Sequence, residues 1–136
     1  MTTAAETPST VLVRDIMSQP VLTVEVDETL WDAWQLLFVS GLRHLVVIDK
    51  LGQCVGVLSD RNILAEVPAT SEHLSRKRVS DVLARVPVST IRPDADPRTA
   101  AATMSHSTAE AVPVIEADGR LVGIVTETDL VRWLGD

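Results

Sequence analysis

The chain has 136 residues, 46% of them hydrophobic, and a formal net charge of −7 at pH 7. This length suits about one globular domain, and no apolar run reaches the roughly 18 residues that a membrane-spanning helix needs. The acidic balance argues against a surface for nucleic acid or anionic membranes, because phosphate groups are bound by clustered Lys and Arg.

The N-terminal residues and the single cysteine bear on the cellular compartment. Residues 1–10 are small and polar and lack the basic start and apolar stretch of a signal peptide, so we predict a disordered tail and a cytoplasmic protein. Cys54 is the only cysteine, which excludes an internal disulfide and suits a reducing compartment. We expect its thiol to be buried and inert.

Residues 11–65 are predicted to form a first repeat. A helical turn at 13–17 leads into an extended segment at 20–24. A helix capped by Asp27 or Thr29 then runs to Gly41. Strands are expected at 45–48 and 54–58, and a second helix runs from Ser59 through Leu64.

The longest predicted helix is apolar on more than one face. Trp31 and Val39 lie off its main stripe, which consists of Leu30, Ala33, Trp34, Leu37 and Phe38. A helix with two apolar faces needs two partners. We expect one to be the sheet of its own repeat and the other to be a second subunit.

Residues 66–78 have no sustained hydrophobic period and are predicted to form a connector. Residues 79–136 form a second repeat in the same order. Its expected elements are a turn at 79–83, an extended segment at 88–91, a helix at 97–106, strands at 112–115 and 121–125, and a helix at 127–134. Strand, helix, strand, strand and helix, present twice, indicate the α+β class.

Two glycine-led motifs reveal an internal duplication with an offset of 67 residues. Residues 56–64 read Gly-Val-Leu-Ser-Asp-Arg-Asn-Ile-Leu, and residues 123–131 read Gly-Ile-Val-Thr-Glu-Thr-Asp-Leu-Val. The first motif contains Ser59 and Asn62 where the second contains Thr126 and Asp129. The difference is one of charge and hydrogen bonding, and we look for function there.

Thr126 and Asp129 form the stronger candidate site. Thr126 ends a strand and Asp129 lies in the first turn of the next helix, so both side chains can face one cleft. A carboxylate can accept hydrogen bonds from both hydroxyls of a ribose, and the threonine hydroxyl can donate to a phosphate or sugar oxygen. The alternative is local: Thr126 caps the helix, Glu127 complements the helix dipole and Asp129 is a solvated carboxylate. Asn62 lacks the charge, so the site containing Ser59 is predicted to be weaker or altered in preference.

From residue 13 to residue 134 the chain resembles a tandem pair of cystathionine-β-synthase (CBS) domains, or Bateman module, of the stand-alone bacterial type. The resemblance rests on residues 13–17, 20–24 and 41–49 and on the two glycine-led motifs, in order. It implies two β-α-β-β-α repeats with pseudo-twofold symmetry, clefts between the repeats, and a homodimer built from helices, here through Trp31 and Trp34. It also implies an adenosine-containing ligand such as AMP, ADP, ATP or S-adenosylmethionine, and a regulated partner on a separate chain.

The resemblance further implies which residues line the clefts. Those expected beside the second motif are Thr90, Val112, Pro113 and Val114. Those expected beside the first motif are Thr23 and Val46, and Val46 replaces a proline that the family often has. Arg61 is the one cation within either motif. It is interpreted either as a partner for a ligand phosphate or as part of a surface ion pair with Asp60 or a nearby acid.

Neither catalysis nor metal binding is supported by a motif. The histidines lack metal-ligand spacing, and phosphate-binding, dinucleotide-binding and nucleophile-elbow motifs are missing, so no catalytic residue, metal or cofactor is expected. The leading interpretation is a regulatory, energy-sensing module that binds an adenine nucleotide. The alternative is a dimeric interaction or scaffold protein with the CBS fold and no ligand, and a nucleotide-transforming enzyme ranks third. Asp60 and Glu127 at the helix starts would repel a polyanion, so one phosphate should be tolerated better than three.

Overall fold

The computed structural model describes residues 11–83, 88–107 and 109–136, and the tail predicted for residues 1–10 lies outside them. The chain divides into two compact units. The first unit is Val21–Val88, and the second unit combines Met1–Pro20 with Ser89–Asp136. The opening segment of each sequence repeat therefore belongs to the unit that contains the rest of the other repeat.

The described residues form helices and strands in the order that the sequence predicts, except for an added helix at residues 71–75 and an extended segment at 88–91 that forms no strand. They are α1 (Val13–Ile16), β1 (Thr23–Glu25), α2 (Leu30–Ser40), β2 (His44–Ile48), β3 (Cys54–Ser59), α3 (Asp60–Glu66), α4 (Ser71–Ser75), a 3₁₀ turn (Val79–Asp81), α5 (Pro97–Ser107), β4 (Ala111–Ile115), β5 (Leu121–Thr126) and α6 (Glu127–Gly135). The α+β class and the repeated order of elements are confirmed.

In the first unit, three strands form a sheet in the order β1, β2, β3. β1 runs parallel to β2, with Thr23 opposite Val46, and β2 runs antiparallel to β3, with His44 opposite Ser59. The parallel pair requires a crossover, which α2 supplies. This register places the end of β3 and the start of α3 beside the first residue of β2.

Helix α2 begins and ends at the residues that the sequence indicates. The hydroxyl oxygen of Thr29 accepts a hydrogen bond from the backbone N–H of Asp32 at 3.1 Å. Gly41 ends the helix with φ 73°, a left-handed conformation that glycine adopts without a steric penalty. The predicted core stripe fails at its last member, because Phe38 is 83% exposed. The helix ends two residues later, at Ser40, whereas Leu30, Ala33 and Leu37 are buried in the core.

The connector predicted for residues 66–78 contributes to the core of the first unit. It contains α4, whose first turn is capped by the Thr70 hydroxyl. Leu74 is fully buried within the hydrophobic cluster that also contains Leu30 and Leu58. A single leucine in a polar segment gives no periodic signal, so the sequence predicts no helix or strand here.

In the second unit, β4 and β5 form an antiparallel hairpin with Ala111 opposite Thr126. The extended segment predicted at 88–91 is reduced to one bridge, between Ile91 and Val114. In the first unit the N–H of Val26 donates to the carbonyl of Ile48 at 3.1 Å. The duplication puts Pro93 at the position of Val26, and proline has no N–H to donate. The pairing therefore stops early.

Residues 11–20 complete the second unit. Val13 is fully buried in its core, and the backbone N–H of Val13 donates to the carbonyl of Ala95 at 2.9 Å. Ser18 forms an antiparallel bridge with Ile124, with N–H to O distances of 2.8 Å and 3.2 Å. Met17 packs over Gly123. Across residues 11–83, 88–107 and 109–136, every helix is too short or too polar to span a bilayer.

Candidate functional site

The Thr126 and Asp129 side chains cap α6 reciprocally. The hydroxyl oxygen of Thr126 accepts a hydrogen bond from the N–H of Asp129 at 3.2 Å, and Oδ2 of Asp129 accepts one from the N–H of Thr126 at 2.9 Å. This arrangement is a capping box, in which two otherwise unpaired donors at the helix start are satisfied. The cap expected of Thr126 is therefore present.

Asp129 is buried rather than solvated, with only 4% of its surface exposed. Its Oδ1 accepts a hydrogen bond from the hydroxyl of Ser18 at 2.8 Å. The guanidinium of Arg132 lies 3.8 Å from the same oxygen. The expectation of a solvated carboxylate is wrong, because the opening segment of the chain folds over it and supplies Ser18, 111 residues away in sequence.

The residues expected beside the second motif fall into two groups. Thr90 is exposed, whereas Val112, Pro113 and Val114 are buried in β4. Ile91 donates its N–H to the carbonyl of Pro113 at 3.0 Å, which brings Thr90 alongside that strand. Of these four residues, Thr90 alone presents an exposed side chain, and the β4 residues are held in the interior.

In the first unit, Ser59 and Asn62 form the corresponding capping box at α3. The N–H of Asn62 donates to the Ser59 hydroxyl oxygen, and the N–H of Ser59 donates to the Asn62 side-chain oxygen, both at 3.0 Å. Ser59 is buried and Asn62 is exposed. Thr23 is exposed on β1, and its cross-strand partner Val46 is fully buried. The two copies thus share a backbone arrangement and differ in charge and exposure.

The charged groups at the start of α3 pair with one another. Oδ2 of Asp60 lies 3.9 Å from Nε of Arg43, and Oδ1 of Asp60 accepts the backbone N–H of Arg61 at 2.8 Å. Asp60 therefore makes an ion pair with Arg43. The side chain of Arg61 is exposed. An anion that approached this helix start would meet the Asp60 carboxylate as well as the cations.

The remaining side chains to consider are the Cys54 thiol and the possible metal ligands. Cys54 is half-buried, and burial raises the pKa of its thiol above the usual value, which keeps it protonated and unreactive at neutral pH. Within the three described ranges, no three or more His, Cys, Asp or Glu side chains are grouped to hold a metal ion. The chemistry available in the described residues is hydrogen bonding and charge.

The model of the CBS domain family matches the chain twice, at residues 13–69 and 79–136. The chain belongs to the CBS domain family. Its tandem CBS pair was identified from residues 13–17, 20–24 and 41–49 together with the two glycine-led motifs, and that identification is confirmed. The second of the two matches starts within the first unit, at Val79, so the CBS repeats and the compact units have different boundaries.

Two curated relatives differ in the share of their own length that aligns with this chain. A CBS domain-containing protein of Dictyostelium discoideum is 32% identical over 133 residues, and the alignment covers 91% of each chain. The L-aspartate semialdehyde sulfurtransferase of Methanocaldococcus jannaschii is 30% identical over 124 residues, covering 91% of this chain but 23% of the enzyme. The chain thus spans about a quarter of that enzyme.

Solved CBS structures with bound adenosine compounds share the fold. The CBS domain pair of protein MJ0100, in complex with 5′-methylthioadenosine and S-adenosyl-L-methionine, has a TM-score of 0.78 and 29% identity, with 92% of this chain and 96% of that one covered. CBSX2 in complex with AMP has a TM-score of 0.70 and 28% identity, with 90% and 95% covered. Both of these solved structures therefore contain an adenosine derivative.

Proposed function

We propose that this CBS pair is a regulatory module that binds an adenosine-containing ligand and thereby alters a partner protein. The observation that carries the proposal is the likeness, over nine-tenths of this chain, to CBS pairs in complex with methylthioadenosine, S-adenosylmethionine or AMP. In this proposal the module is cytoplasmic and non-catalytic, requires no cofactor, and reports on cellular energy or adenosyl status.

We place the stronger ligand site in the second unit, at the capping box of α6. The carboxylate of Asp129 is the acceptor for the ribose hydroxyls, and the hydroxyl of Thr126 donates to a sugar or phosphate oxygen. The exposed Thr90 is the polar contact from the neighbouring chain segment. In this proposal Val112, Pro113 and Val114 act through the packing and backbone of β4, because their side chains are buried.

The weaker site lies in the first unit, around Ser59 and Asn62. An amide oxygen accepts a hydrogen bond from a ribose hydroxyl without the added strength of a charge. Thr23 is the exposed polar neighbour, Val46 contributes through the packing and backbone of β2, and Arg61 supplies a cation for a phosphate. Asp60 opposes a highly charged ligand here, as Glu127 does at α6.

Thermal unfolding with and without nucleosides tests the ligand proposal. At a ligand concentration 100 times the dissociation constant, binding should stabilise the folded chain by about 2.7 kcal/mol. We expect S-adenosylmethionine or AMP to raise the Tm more than ATP. Asp129→Asn should reduce the gain strongly, because it removes the charge but keeps an acceptor for the cap. Asn62→Ala should reduce it little. No change in Tm with any adenosine compound would overturn the proposal.

We propose that the chain forms a homodimer through α2. Phe38 and Val39 are 83% and 82% exposed at its C-terminal end, and Trp31 and Trp34 are partly buried against the first core. Adjacent exposed aromatic and aliphatic side chains on one helix form an apolar patch, and such patches mark sites of contact with another chain. A second copy is the partner we propose, as the family resemblance implies.

Phe38→Asp should convert a dimer into a monomer, as measured by size-exclusion chromatography with light scattering. The introduced charge would be buried at the interface in the dimer and solvated in the monomer. Phe38 tests the interface better than Trp31 or Trp34, whose partial burial makes their replacement destabilising in itself. Leu51→Asp, at a turn residue that is 85% exposed, is the matched control and should leave the mass unchanged. A wild-type monomer would contradict the dimer.

A second candidate function is a CBS scaffold that binds no ligand. The burial of Asp129 favours this reading, because both carboxylate oxygens already accept hydrogen bonds from the chain itself. The thermal assay distinguishes the two functions, because nucleosides should not change the Tm of a scaffold. Both functions include the homodimer.

A further inference from the structure

The hydroxyl of Ser18 occupies one oxygen of the Asp129 carboxylate. Its Oγ donates to Oδ1 at 2.8 Å, and Oδ2 is taken by the backbone N–H of Thr126 at 2.9 Å. The Asp129 side chain is only 3% exposed. A carboxylate has about four acceptor positions, so capacity remains, but a new donor cannot approach while these groups enclose it.

The hydrogen bond from Ser18 is chemically the same as the one that a ribose hydroxyl would make. Each is an aliphatic O–H that donates to a carboxylate oxygen, a charge-assisted bond with a short donor-to-acceptor distance. The Ser18 hydroxyl can leave Oδ1 of Asp129 without any movement of the Ser18 backbone. Its backbone is paired with Ile124, and the neighbouring Gln19 side chain donates to the carbonyl of Val122 at 2.8 Å. Rotation about χ1 alone moves the hydroxyl to another staggered position.

We infer that Ser18 is an internal competitor for the ligand. In the unliganded chain its hydroxyl holds Oδ1 of Asp129, and a ligand hydroxyl must displace it to bind. This inference rests on the proposed function, because it assigns a regulation to the same site. Coupling between two interactions is reciprocal. Ligand binding therefore weakens the contact between α6 and the opening segment, and a stronger contact there lowers the affinity for the ligand.

The sequence changes both members of this pair together in the other copy. The second opening segment has one more residue before its proline, so Val13–Ser18 align with Val79–Ala84 at an offset of 66, and the offset of 67 holds from Pro20 onward. Ala84 therefore has the position of Ser18. Ala84 has no hydroxyl, and Asn62, at the position of Asp129, has no charge. A donor and its carboxylate are thus present together in one copy and replaced together in the other. A merely solvated serine would give no reason for that pairing.

Calorimetric titration of Ser18→Ala tests the inference. The ligands are AMP and S-adenosylmethionine, each titrated into the full chain. Removing the competing hydroxyl should tighten binding about tenfold relative to wild type, equivalent to about 1.4 kcal/mol. Ser18→Thr keeps a hydroxyl and suits the extended backbone, so its affinity should stay near that of wild type. Ser105→Ala, at an exposed position on α5, is the matched control and should change nothing.

The outcomes separate the inference from the proposed function. Binding by wild type with equal or weaker binding by Ser18→Ala overturns the competitor and leaves the ligand function standing. Binding by Ser18→Ala alone supports the inference in its strongest form. Absence of binding by every variant overturns both. Unfolding of Ser18→Ala without ligand, followed by circular dichroism, confirms that the titrated protein is folded.

Discussion

Asp129→Ala is expected to lower the free energy of unfolding of the second unit by about 3 kcal/mol, an effect near the upper end for a single polar side chain. The substitution leaves the Ser18 hydroxyl and the Thr126 N–H without their acceptor in a part-buried site. Each buried donor without a partner costs about 1–3 kcal/mol. Chemical denaturation followed by circular dichroism measures the loss, and in a Trp31→Phe, Trp34→Phe background the fluorescence of Trp133, packed against the second core, reports on the second unit.

Asn62→Ala is the matched control for that experiment. It removes the same contact of the capping box, but Asn62 is exposed and water can replace its side-chain oxygen as the acceptor for Ser59. The expected loss is below about 1 kcal/mol, in the lower half of the range for helix caps. Equal losses for the two variants would contradict the importance of the buried Ser18 hydrogen bond and leave only the cap.

Gly123→Ala is expected to destabilise the second unit by about 1–3 kcal/mol, the usual cost of overpacking a core. A Cβ at this position would lie 2.9 Å from Cγ and 3.3 Å from Cβ of Met17, and would come still closer to the sulfur. Atoms near the Met17 backbone cannot rotate out of the way, because the adjoining Ser18 is paired with β5. Thermal and chemical unfolding measure the loss.

The corresponding change in the first unit, Gly56→Ala, should be far milder. A Cβ there meets only Cδ2 of Leu83 closely, at 2.9 Å, and the other Leu83 atoms lie at 3.8 Å. The end of a leucine side chain can move, so we expect a change of less than about 1 kcal/mol. A double-mutant cycle with Met17→Ala completes the test, because removing the methionine should recover part of the loss in Gly123→Ala. Additive losses would contradict a direct clash.

The elements were predictable because each has a local signal. Thr29 and Gly41 mark the two ends of α2, and the glycine-led motifs locate a strand and a helix in each repeat. Where the expectation fails, the hydrophobic period alone does not decide the outcome. Phe38 fits the stripe by period but is exposed near the end of α2, and Pro93 removes the N–H that would extend the pairing of residues 88–91.

The environment of the candidate site was less predictable than the identity of its residues. Thr126 and Asp129 stand in a recognisable motif, whereas the partner Ser18 lies 111 residues away and belongs to no motif that names its role. Burial of Asp129 follows from that long-range contact. Hydrophobic periodicity reports which face of an element is covered, but it carries no signal for which distant hydroxyl meets a carboxylate.

The exchange of opening segments sets an order on folding during synthesis. The first unit is one continuous stretch of chain, Val21–Val88, so all of its parts have emerged once Val88 has left the ribosome. The second unit needs residues 11–20, which precede the first unit in the chain, and α6, which follows it. Its closure therefore waits until α6 has been synthesised and bridges a very long loop. Until then Val13 and Met17 lack the core against which they pack in the folded chain.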